Sequence, residues 1–359
     1  MRCVSLFSGC GGLDLGMERA GFSVRLAVDN EPLCERSFQA NFPEASFYLG
    51  SVTDFVGDLR SGSLLNESEE IDLLVGGPPC PPYSKSRFYR KEKPRALRDG
   101  VAWETINGYL DTLRFLEPRA FLLENVPGLA YTVHREALDF ILGKAEEAGY
   151  SCSWRILNAA DFGVPQIRER FFLIGVRDGL SFDFPEPTHA KQPAADLLGA
   201  SLRSWTTAGQ AIADLDTDQN ADDTGHFAGG KFHDLLREIP PGDNYLYFTE
   251  KRGHPQPRFK WRSRYWSYLL KLSPDLPSWT IQARRSNNMG PFHWRNRILR
   301  IEEVKRLQTF PDDWVLAGTL EQQWRQIGNA VPPLLAERLG LAIADHLAHS
   351  RSRTIEQAA

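Results

Sequence analysis

The stretch that decides the fold is Val4-Ser5-Leu6-Phe7-Ser8-Gly9-Cys10-Gly11-Gly12-Leu13, an apolar run that passes directly into a glycine-rich turn. Glycines between a strand and a helix let a ligand approach the backbone, and the N-terminus of the following helix favours negative charge. Asp29 closes the next predicted strand twenty positions after Gly9, where a ribose-binding carboxylate belongs. Position 14 is Asp, so the spacing is not that of dinucleotide-binding folds. The turn therefore favours a nucleoside-bearing cofactor other than NAD, with a plain structural turn as the alternative.

The pattern around this turn is typical of an α/β fold. Over the first 176 residues, short apolar runs alternate with helical periodicities, as in a parallel sheet with helices on both faces. The pattern predicts strands at Val4–Phe7, Arg25–Asp29, Ile71–Val75, Ala120–Glu124 and Phe171–Val176, and helices at Leu13–Ala20, Leu33–Asn41, Trp103–Leu116 and His134–Ala148.

The pattern changes after Arg177. Residues 183–230 are rich in Pro, Ala, Asp, Thr and Gly, which is typical of a boundary followed by the loops of a less regular domain. Near the C-terminus, an i, i+4 stripe on a final helix needs a partner surface, which we expect on the first domain; it comprises Leu335, Leu339, Ile343 and Leu347. The predicted division is a first domain over 1–178, a smaller one over 179–324, and a segment, 325–359, that returns to the first.

The composition excludes several classes of protein. With 42% apolar and 25% charged residues, the chain is neither fibrous nor largely disordered. No run approaches the roughly 18 apolar residues of a membrane span, so none is expected. The five cysteines include no CxxC pair, which indicates reduced thiols in a cytosolic protein rather than a disulfide framework or a zinc site.

The charge is distributed unevenly along the chain. Residues 251–300 hold twelve Lys or Arg and one acid, Asp275, so their formal charge is +11, although the whole chain carries −4. The same residues include eight aromatic side chains. A basic, aromatic-rich surface suits a nucleic acid, because it holds phosphates and stacks on bases. A solvated basic face over a small aromatic core is the alternative.

Three further segments carry candidate chemistry. Gly76-Gly77-Pro78-Pro79-Cys80-Pro81-Pro82-Tyr83 is a constrained loop at the carboxyl end of a strand, which favours Cys80 as a nucleophile over a buried thiol. Glu124 ends a buried strand and is either a solvated strand end or a desolvated acid that donates a proton. In Gln166-Ile167-Arg168-Glu169-Arg170, the arginines either clamp a ring carbonyl, a phosphate or the Cys80 loop, or form surface salt bridges.

Taken in order, these segments resemble the DNA cytosine-5 methyltransferase family of bacterial restriction–modification type. The resemblance spans residues 6 to 331 and rests on six motifs: Leu6–Leu13 (LFSGCGGL), Gly76–Cys80 (GGPPC), Glu124–Val126 (ENV), Gln166–Arg170 (QIRER), Arg306–Pro311 (RLQTFP) and Gln326–Val331 (QIGNAV). It implies a Rossmann-like sheet of the S-adenosylmethionine-dependent methyltransferases, with a smaller target-recognition domain that contains the basic segment.

The resemblance also implies residue roles. Cys80 would be the nucleophile, Glu124 the group at ring nitrogen N3, and Arg168 and Arg170 would hold a flipped cytosine and the active-site loop. S-adenosyl-L-methionine would be bound by Phe7, Ser8, Gly9, Gly11, Gly12, Leu13, Asp29, Asn30, Ser51, Val52, Pro79, Asn329 and Val331. Contacts to duplex DNA are expected from Gln166, Arg258, Lys260, Arg262 and Arg264.

The layout, with one recognition region, implies the modification enzyme of a restriction–modification system. Such an enzyme is expected to act as a monomer on double-stranded DNA, in the bacterial cytoplasm at the nucleoid, alongside a cognate restriction endonuclease for the same site.

Some residues depart from the family pattern. Pro81 and Tyr83 stand where the family commonly has Gln and Phe, and Ser51 stands where it often has an acid that contacts adenine. Cys80-Pro81-Pro82-Tyr83 also mimics the Asp/Asn/Ser-Pro-Pro-Tyr motif of amino methyltransferases, although a thiol poorly replaces the oxygen acceptor of that motif. A closer rival is tRNA cytosine-5 methylation, but no Cys-Phe-Thr segment of the RNA-directed relatives is found. A catalytically silent DNA-binding module is the third alternative.

Overall fold

The computed structural model describes residues 1–65, 69–79, 99–193, 202–216, 227–262 and 265–358, with backbone only over 351–358. Cys80, Pro81, Tyr83 and Arg264 of the sequence predictions lie outside these described residues. Four cysteines lie within them, and all four are free thiols, namely Cys3, Cys10, Cys34 and Cys152.

A seven-stranded sheet forms the centre of the fold, in the order β3-β2-β1-β4-β5-β8-β6. Its strands are β1 (Arg2–Leu6), β2 (Ser23–Asp29), β3 (Ser46–Leu49), β4 (Leu73–Gly76), β5 (Ala120–Asn125), β6 (Ser151–Asn158) and β8 (Glu169–Val176), with the short strand β7 (Gln166–Ile167) just before β8. β1 to β5 pair in parallel. The carboxyl ends of these strands therefore meet at one edge, where ligands bind in folds of this kind.

The last predicted strand does not continue the parallel pattern. β8 is antiparallel to both β5 and β6. The connection between Asn158 and Glu169 holds one short 3₁₀ helix, Ala159–Phe162, and the two-residue strand β7. It is too short for the helical crossover that a parallel pair requires, which explains the reversal.

Nine α-helices are seen among the described residues: α1 (Gly12–Arg19), α2 (Pro32–Asn41), α3 (Val52–Arg60), α4 (Gly100–Leu116), α5 (Arg135–Glu147), α6 (Ala208–Ile212), α7 (Ile301–Leu307), α8 (Leu320–Asn329) and α9 (Pro333–Ala358). Short pairings add β9 (His189–Ala190) with β10 (Arg203–Ser204), and β11 (Ser278–Trp279) with β7. No helix in the described part of the chain is long and apolar enough to cross a membrane.

The helices cover both faces of the sheet. Side chains of α3, α4 and α5 share a core with β1 and β5 on one face. On the other face, the stripe Leu335, Leu339, Ile343 and Leu347 of α9 is buried with Leu13 and Met17 of α1. The two helices pack closely, because a Cβ added at Gly16 would lie 2.3 Å from that of Ala336. A third core joins α2 to α6, α7 and α8. The domain limits at 178 and 324 stay a prediction.

Candidate active site

The glycine-rich loop has a backbone that favours glycine. Gly9 and Gly11 have φ of +57° and +84°, in the left-handed region where a side chain is strained. A Cβ added at Gly11 would also lie 2.4 Å from the Phe42 ring. Phe7 takes φ of +56° as β1 ends, so the chain turns sharply into the loop. Gly11 stands at the N-cap of α1 without a side chain, which leaves a concave backbone surface at the helix N-terminus.

Asp29 links this loop to the end of β2. Its Oδ2 accepts a hydrogen bond from the Gly9 amide at 2.9 Å, and its Oδ1 accepts one from the Glu31 amide at 3.0 Å. Burial raises the pKa of Asp29, while these backbone donors lower it. A carboxylate offers about four acceptor positions, so Asp29 can hold the loop and still accept from a ligand hydroxyl.

Ser8 and Ser51 have roles within the protein. The Ser8 hydroxyl donates to the Ser5 carbonyl at 3.1 Å and accepts from the Val28 amide at 3.2 Å, which ties β1 to β2. Ser51 caps α3, accepting from the Asp54 amide at 3.0 Å. Both hydroxyls are therefore engaged in hydrogen bonds within the protein. Of the two other residues predicted to bind the cofactor next to them in sequence, Asn30 is exposed and Val52 is buried.

Asp14 is a buried acid close to the glycine-rich loop that the sequence analysis does not single out as a candidate residue. It is fully buried in the first turn of α1, and neither carboxylate oxygen has a hydrogen-bond partner among the described residues. Burial raises its pKa to about 7, and the nearby Ser5 hydroxyl offsets only part of this effect. The sequence showed Asp14 only as a break in the glycine spacing, because nothing local predicts that the neighbouring helix α9 will bury it.

The loop that leads to Cys80 lies against the end of β5. A Cβ added at Gly77 would lie 2.8 Å from Glu124 Oε2, so only glycine lets the loop pass this close. The Asn125 side chain donates to the Pro78 carbonyl at 3.1 Å and holds the loop there. Pro79 is half-buried at the last described position before Cys80. Glu124 and the start of the Cys80 loop therefore share one edge of the sheet.

Glu124 and Arg170 form a shielded ion pair. Arg170 Nε lies 3.0 Å from Glu124 Oε1, and the side chains are 14% and 8% exposed. Burial raises the pKa of Glu124, with Arg170 and then Arg168 opposing the shift. A carboxyl in this position is a desolvated acid rather than a solvated strand end, and it can hold a proton for a bound ring.

Arg168 does not share this arrangement. Its fully buried guanidinium donates to the Ile281 carbonyl at 3.0 Å, to the Gly328 carbonyl at 2.8 Å and to the Ala330 carbonyl at 3.0 Å. The guanidinium of Arg168 is thus bound to backbone carbonyls of the protein, whereas the expectation from the sequence is that it holds a flipped cytosine and the active-site loop. Arg168 joins three segments of the protein, and Arg170 alone meets Glu124.

Gln166 works beside Arg168. Its Nε2 donates to the Leu307 carbonyl at 3.2 Å, and its Oε1 accepts from the Ile281 amide at 3.0 Å. The amide is fully buried, which argues against the direct DNA contact expected from the sequence. Gln166 and Arg168 together fasten the segment after β11 to the catalytic sheet.

The C-terminal motif returns to the glycine-rich loop. A Cβ added at Gly12 would lie 2.5 Å from the Val331 carbonyl oxygen, so the Gln326–Val331 motif is in close contact with the start of α1. Asn329 is exposed at the end of α8. Trp314, which the sequence did not single out, donates from its indole to the Cys10 carbonyl at 3.2 Å. Phe7, Gly9, Gly11, Gly12, Leu13, Asp29 and Val331 are thus gathered around one loop.

The basic segment has two kinds of aromatic side chain. Phe259, Tyr268 and Phe292 pack inside, whereas Trp261, Tyr265, Trp266 and Trp279 are exposed. Arg258, Lys260 and Arg262 are exposed on the same stretch. The Tyr245 hydroxyl accepts from the Arg262 amide at 3.0 Å and fixes the backbone there. The segment therefore combines a small aromatic core with exposed basic and aromatic side chains, so it has features that each of the two sequence interpretations expects.

The fold and this edge of the sheet define an α/β enzyme with a glycine-rich loop at a helix N-terminus and a buried acid beside the segment that leads to Cys80. The model of the C-5 cytosine-specific DNA methylase family matches residues 1–345, and the chain belongs to this family.

Named relatives agree with this assignment. The chain is 37% identical over 374 residues to the Type II methyltransferase M.SacI of Streptomyces achromogenes, covering 98% of this chain and 94% of the relative. It is 30% identical to the Type II methyltransferase M1.HphI of Haemophilus parahaemolyticus, covering 95% and 86%. A solved DNA modification methyltransferase from an E. coli prophage, 21% identical, shares the fold with a TM-score of 0.68 over 97% of this chain and 99% of that one.

Proposed function

We propose that this protein transfers a methyl group from S-adenosylmethionine to carbon 5 of a flipped cytosine in a specific duplex DNA sequence. The observation that carries the proposal is the shielded Glu124–Arg170 pair, 3.0 Å apart, at the edge where the Cys80 loop begins. Family membership supports the same reaction.

The cofactor fits the glycine-rich loop. Gly9 and Gly11 leave a cradle without side chains, and Asp29 can accept from ribose hydroxyls. Phe7, Val52, Pro79, Asn329 and Val331 would border the same space. Bound there, S-adenosylmethionine would supply an electrophilic methyl group. Because the Ser51 hydroxyl caps α3, we expect the adenine amine to be recognised through backbone groups near Val52.

The side chains divide the chemistry. The Cys80 thiolate adds to cytosine carbon 6, and Glu124 gives a proton to N3, which neutralises the charge that addition places on the ring. Carbon 5 becomes nucleophilic and accepts the methyl group. Loss of the carbon 5 proton to solvent, departure of the thiolate from carbon 6, and return of the N3 proton to the Glu124 carboxylate restore the aromatic ring and the free enzyme. Arg170 orients Glu124 throughout. A stacked base cannot reach these groups, so the cytosine must leave the helix.

A covalent-capture experiment tests this route. Duplex DNA with 5-fluorocytosine at the target lacks the proton that must leave carbon 5, so the wild-type protein should form an adduct that survives denaturation. Cys80→Ala should form none, while Cys152→Ala, a half-buried thiol on β6, should match the wild type. An active enzyme without an adduct would favour amino methylation. Adducts with tRNA alone would favour the RNA alternative, and DNA binding without transfer would favour a silent module.

We further propose the biological setting. The names of M.SacI and M1.HphI as Type II methyltransferases support a modification enzyme paired with a restriction endonuclease. Plasmid DNA from cells that express the protein should resist that endonuclease, and unprotected DNA would contradict the pairing. We infer a monomer on DNA in the cytoplasm, at the nucleoid. We also propose a catalytic domain over 1–178, a target-recognition domain over 179–324, and a segment over 325–359 that completes the first.

A further inference from the structure

Two exposed indoles lie together where the basic segment meets the catalytic sheet. The rings of Trp266 and Trp279 are 4.4 Å apart with an interplanar angle of 72°. They remain 37% and 38% exposed. Single exposed apolar residues are normal on a protein surface, but two large rings in contact form a patch that calls for a partner.

Both indoles are held in place by the backbone beneath them. The buried Asn244 side chain donates to the Trp266 carbonyl at 2.6 Å. Trp279 lies on β11 opposite Ile167 of β7. On either side of Trp279, the Ser278 amide donates to the Pro165 carbonyl at 2.9 Å, and the Thr280 hydroxyl donates to the Ile167 carbonyl at 2.8 Å. The backbone that carries both rings is therefore fixed, which leaves only side-chain freedom to lose when a flat partner stacks on them.

The pair lies close to the proposed chemistry. Ile167 precedes Arg170 by three residues, so their Cα atoms are at most about 11 Å apart. Paired strands are separated by about 5 Å, which places the Trp279 Cα within about 16 Å of the Arg170 Cα. Successive bases are about 3.4 Å apart along a strand. The Trp279 Cα is therefore within about five base steps of the Cα of Arg170, the residue that binds Glu124.

The charge around the pair favours DNA over an apolar partner. Both tryptophans belong to the 251–300 segment, whose formal charge is +11. Arg262 is exposed shortly before Trp266, and Arg284 is exposed shortly after Trp279. Aromatic rings within a basic surface are the usual means of stacking on unpaired bases.

We propose that Trp266 and Trp279 stack on the bases exposed beside the gap that the flipped cytosine leaves, and so stabilise the opened duplex. This inference rests on the proposed function and names a positioning surface for it. The Trp pair makes no bond to the reacting atoms.

The test uses the full chain and a duplex in which 2-aminopurine replaces the base next to the target cytosine. Its fluorescence rises when the base loses its stacking on the neighbouring base, and an indole that stacks on it quenches that signal. Wild type should show quenching, and Trp279→Ala and Trp266→Ala should lose it. These variants should also bind the duplex about 5- to 150-fold more weakly, the range for loss of one aromatic stack. Trp279→Phe should recover most of the binding, because a phenyl ring still stacks on a base.

The control is Trp154→Ala, which removes an exposed indole from the edge strand β6, outside the basic 251–300 segment. It should bind and quench like the wild type. Unchanged melting temperature and cofactor affinity in the Trp279 variants would exclude a folding defect. Binding within twofold of the wild type with unchanged quenching, or an equal loss in Trp154→Ala, would overturn the inference. If the wild type transfers no methyl group to duplex DNA, the proposed function fails instead.

Discussion

Replacing Asp14 with asparagine should change how the stability of this protein depends on pH. Asp14 is completely buried in α1, and burial raises its pKa from 3.8 to about 7. The folded chain therefore keeps a proton on this carboxyl in a pH range where the unfolded chain has released it. The contribution of Asp14 to the free energy of unfolding therefore falls as pH rises from about 4 to about 7, and levels off above that range.

The size of the effect follows from the shift. One pKa unit corresponds to about 1.4 kcal/mol, so the shift of Asp14 is equivalent to about 4 kcal/mol in total. About 2 kcal/mol of this is lost between pH 5 and pH 7, because the folded group is still half protonated at pH 7. An asparagine side chain at this position cannot ionise, and the cost of burying its amide does not vary with pH. The free energy of unfolding of Asp14→Asn, measured relative to the wild type, should thus rise by about 2 kcal/mol between pH 5 and pH 7.

Urea unfolding at pH 5, 6, 7 and 8, followed by circular dichroism, measures this difference directly. Asp139→Asn, an exposed aspartate on α5, serves as the matched control and should run parallel to the wild type. Parallel curves for Asp14→Asn and the wild type over the whole range would refute the reasoning, because they would mean that Asp14 ionises normally in the folded chain.

Three other changes have defined outcomes. Glu124→Gln should lower the single-turnover methylation rate by about 10²- to 10⁴-fold, since the amide cannot act as an acid. Calorimetry should show that the variant still binds the cofactor. An unchanged rate would mean that Glu124 takes no part in the chemistry. Gly16→Ala should destabilise the protein by about 1–3 kcal/mol in urea unfolding, because its Cβ would lie 2.3 Å from that of Ala336; wild-type stability would mean that α1 and α9 are not closely packed. Lys260→Gln should reduce the slope of the logarithm of the binding constant against the logarithm of the salt concentration by about 0.9. The control Arg135→Gln on α5 should leave that slope unchanged. Equal slopes for Lys260→Gln and the wild type would place Lys260 away from DNA.

The centre of the fold was predictable because its strands are continuous apolar runs. β1, β4 and β5 have almost entirely buried side chains, so their sequences stand out from the helices between them. β3 and β6 were missed because they are partly exposed and lack that pattern. α3 was missed as a nine-residue helix that carries Gly57 in its interior.

The site was only partly predictable, for a related reason. Asp29 and Glu124 end their strands, so their placement at the carboxyl edge followed from the order of strands alone. The contacts of Arg168 reach residues 113 to 162 positions away, and no local pattern specifies them. The same holds for Gln166, whose partners lie 115 and 141 positions away. Residue type and spacing thus located the Gln166–Arg170 motif, but tertiary packing decides which of its side chains contacts Glu124.

Bisulfite sequencing of DNA from cells that express the protein is the most direct test of the central claim. The account predicts protected cytosines at one position of a single recurring duplex motif, and full conversion in cells that express Cys80→Ala. Complete conversion with the wild-type protein, or protection that persists in Cys80→Ala, would contradict methyl transfer to carbon 5 through this cysteine.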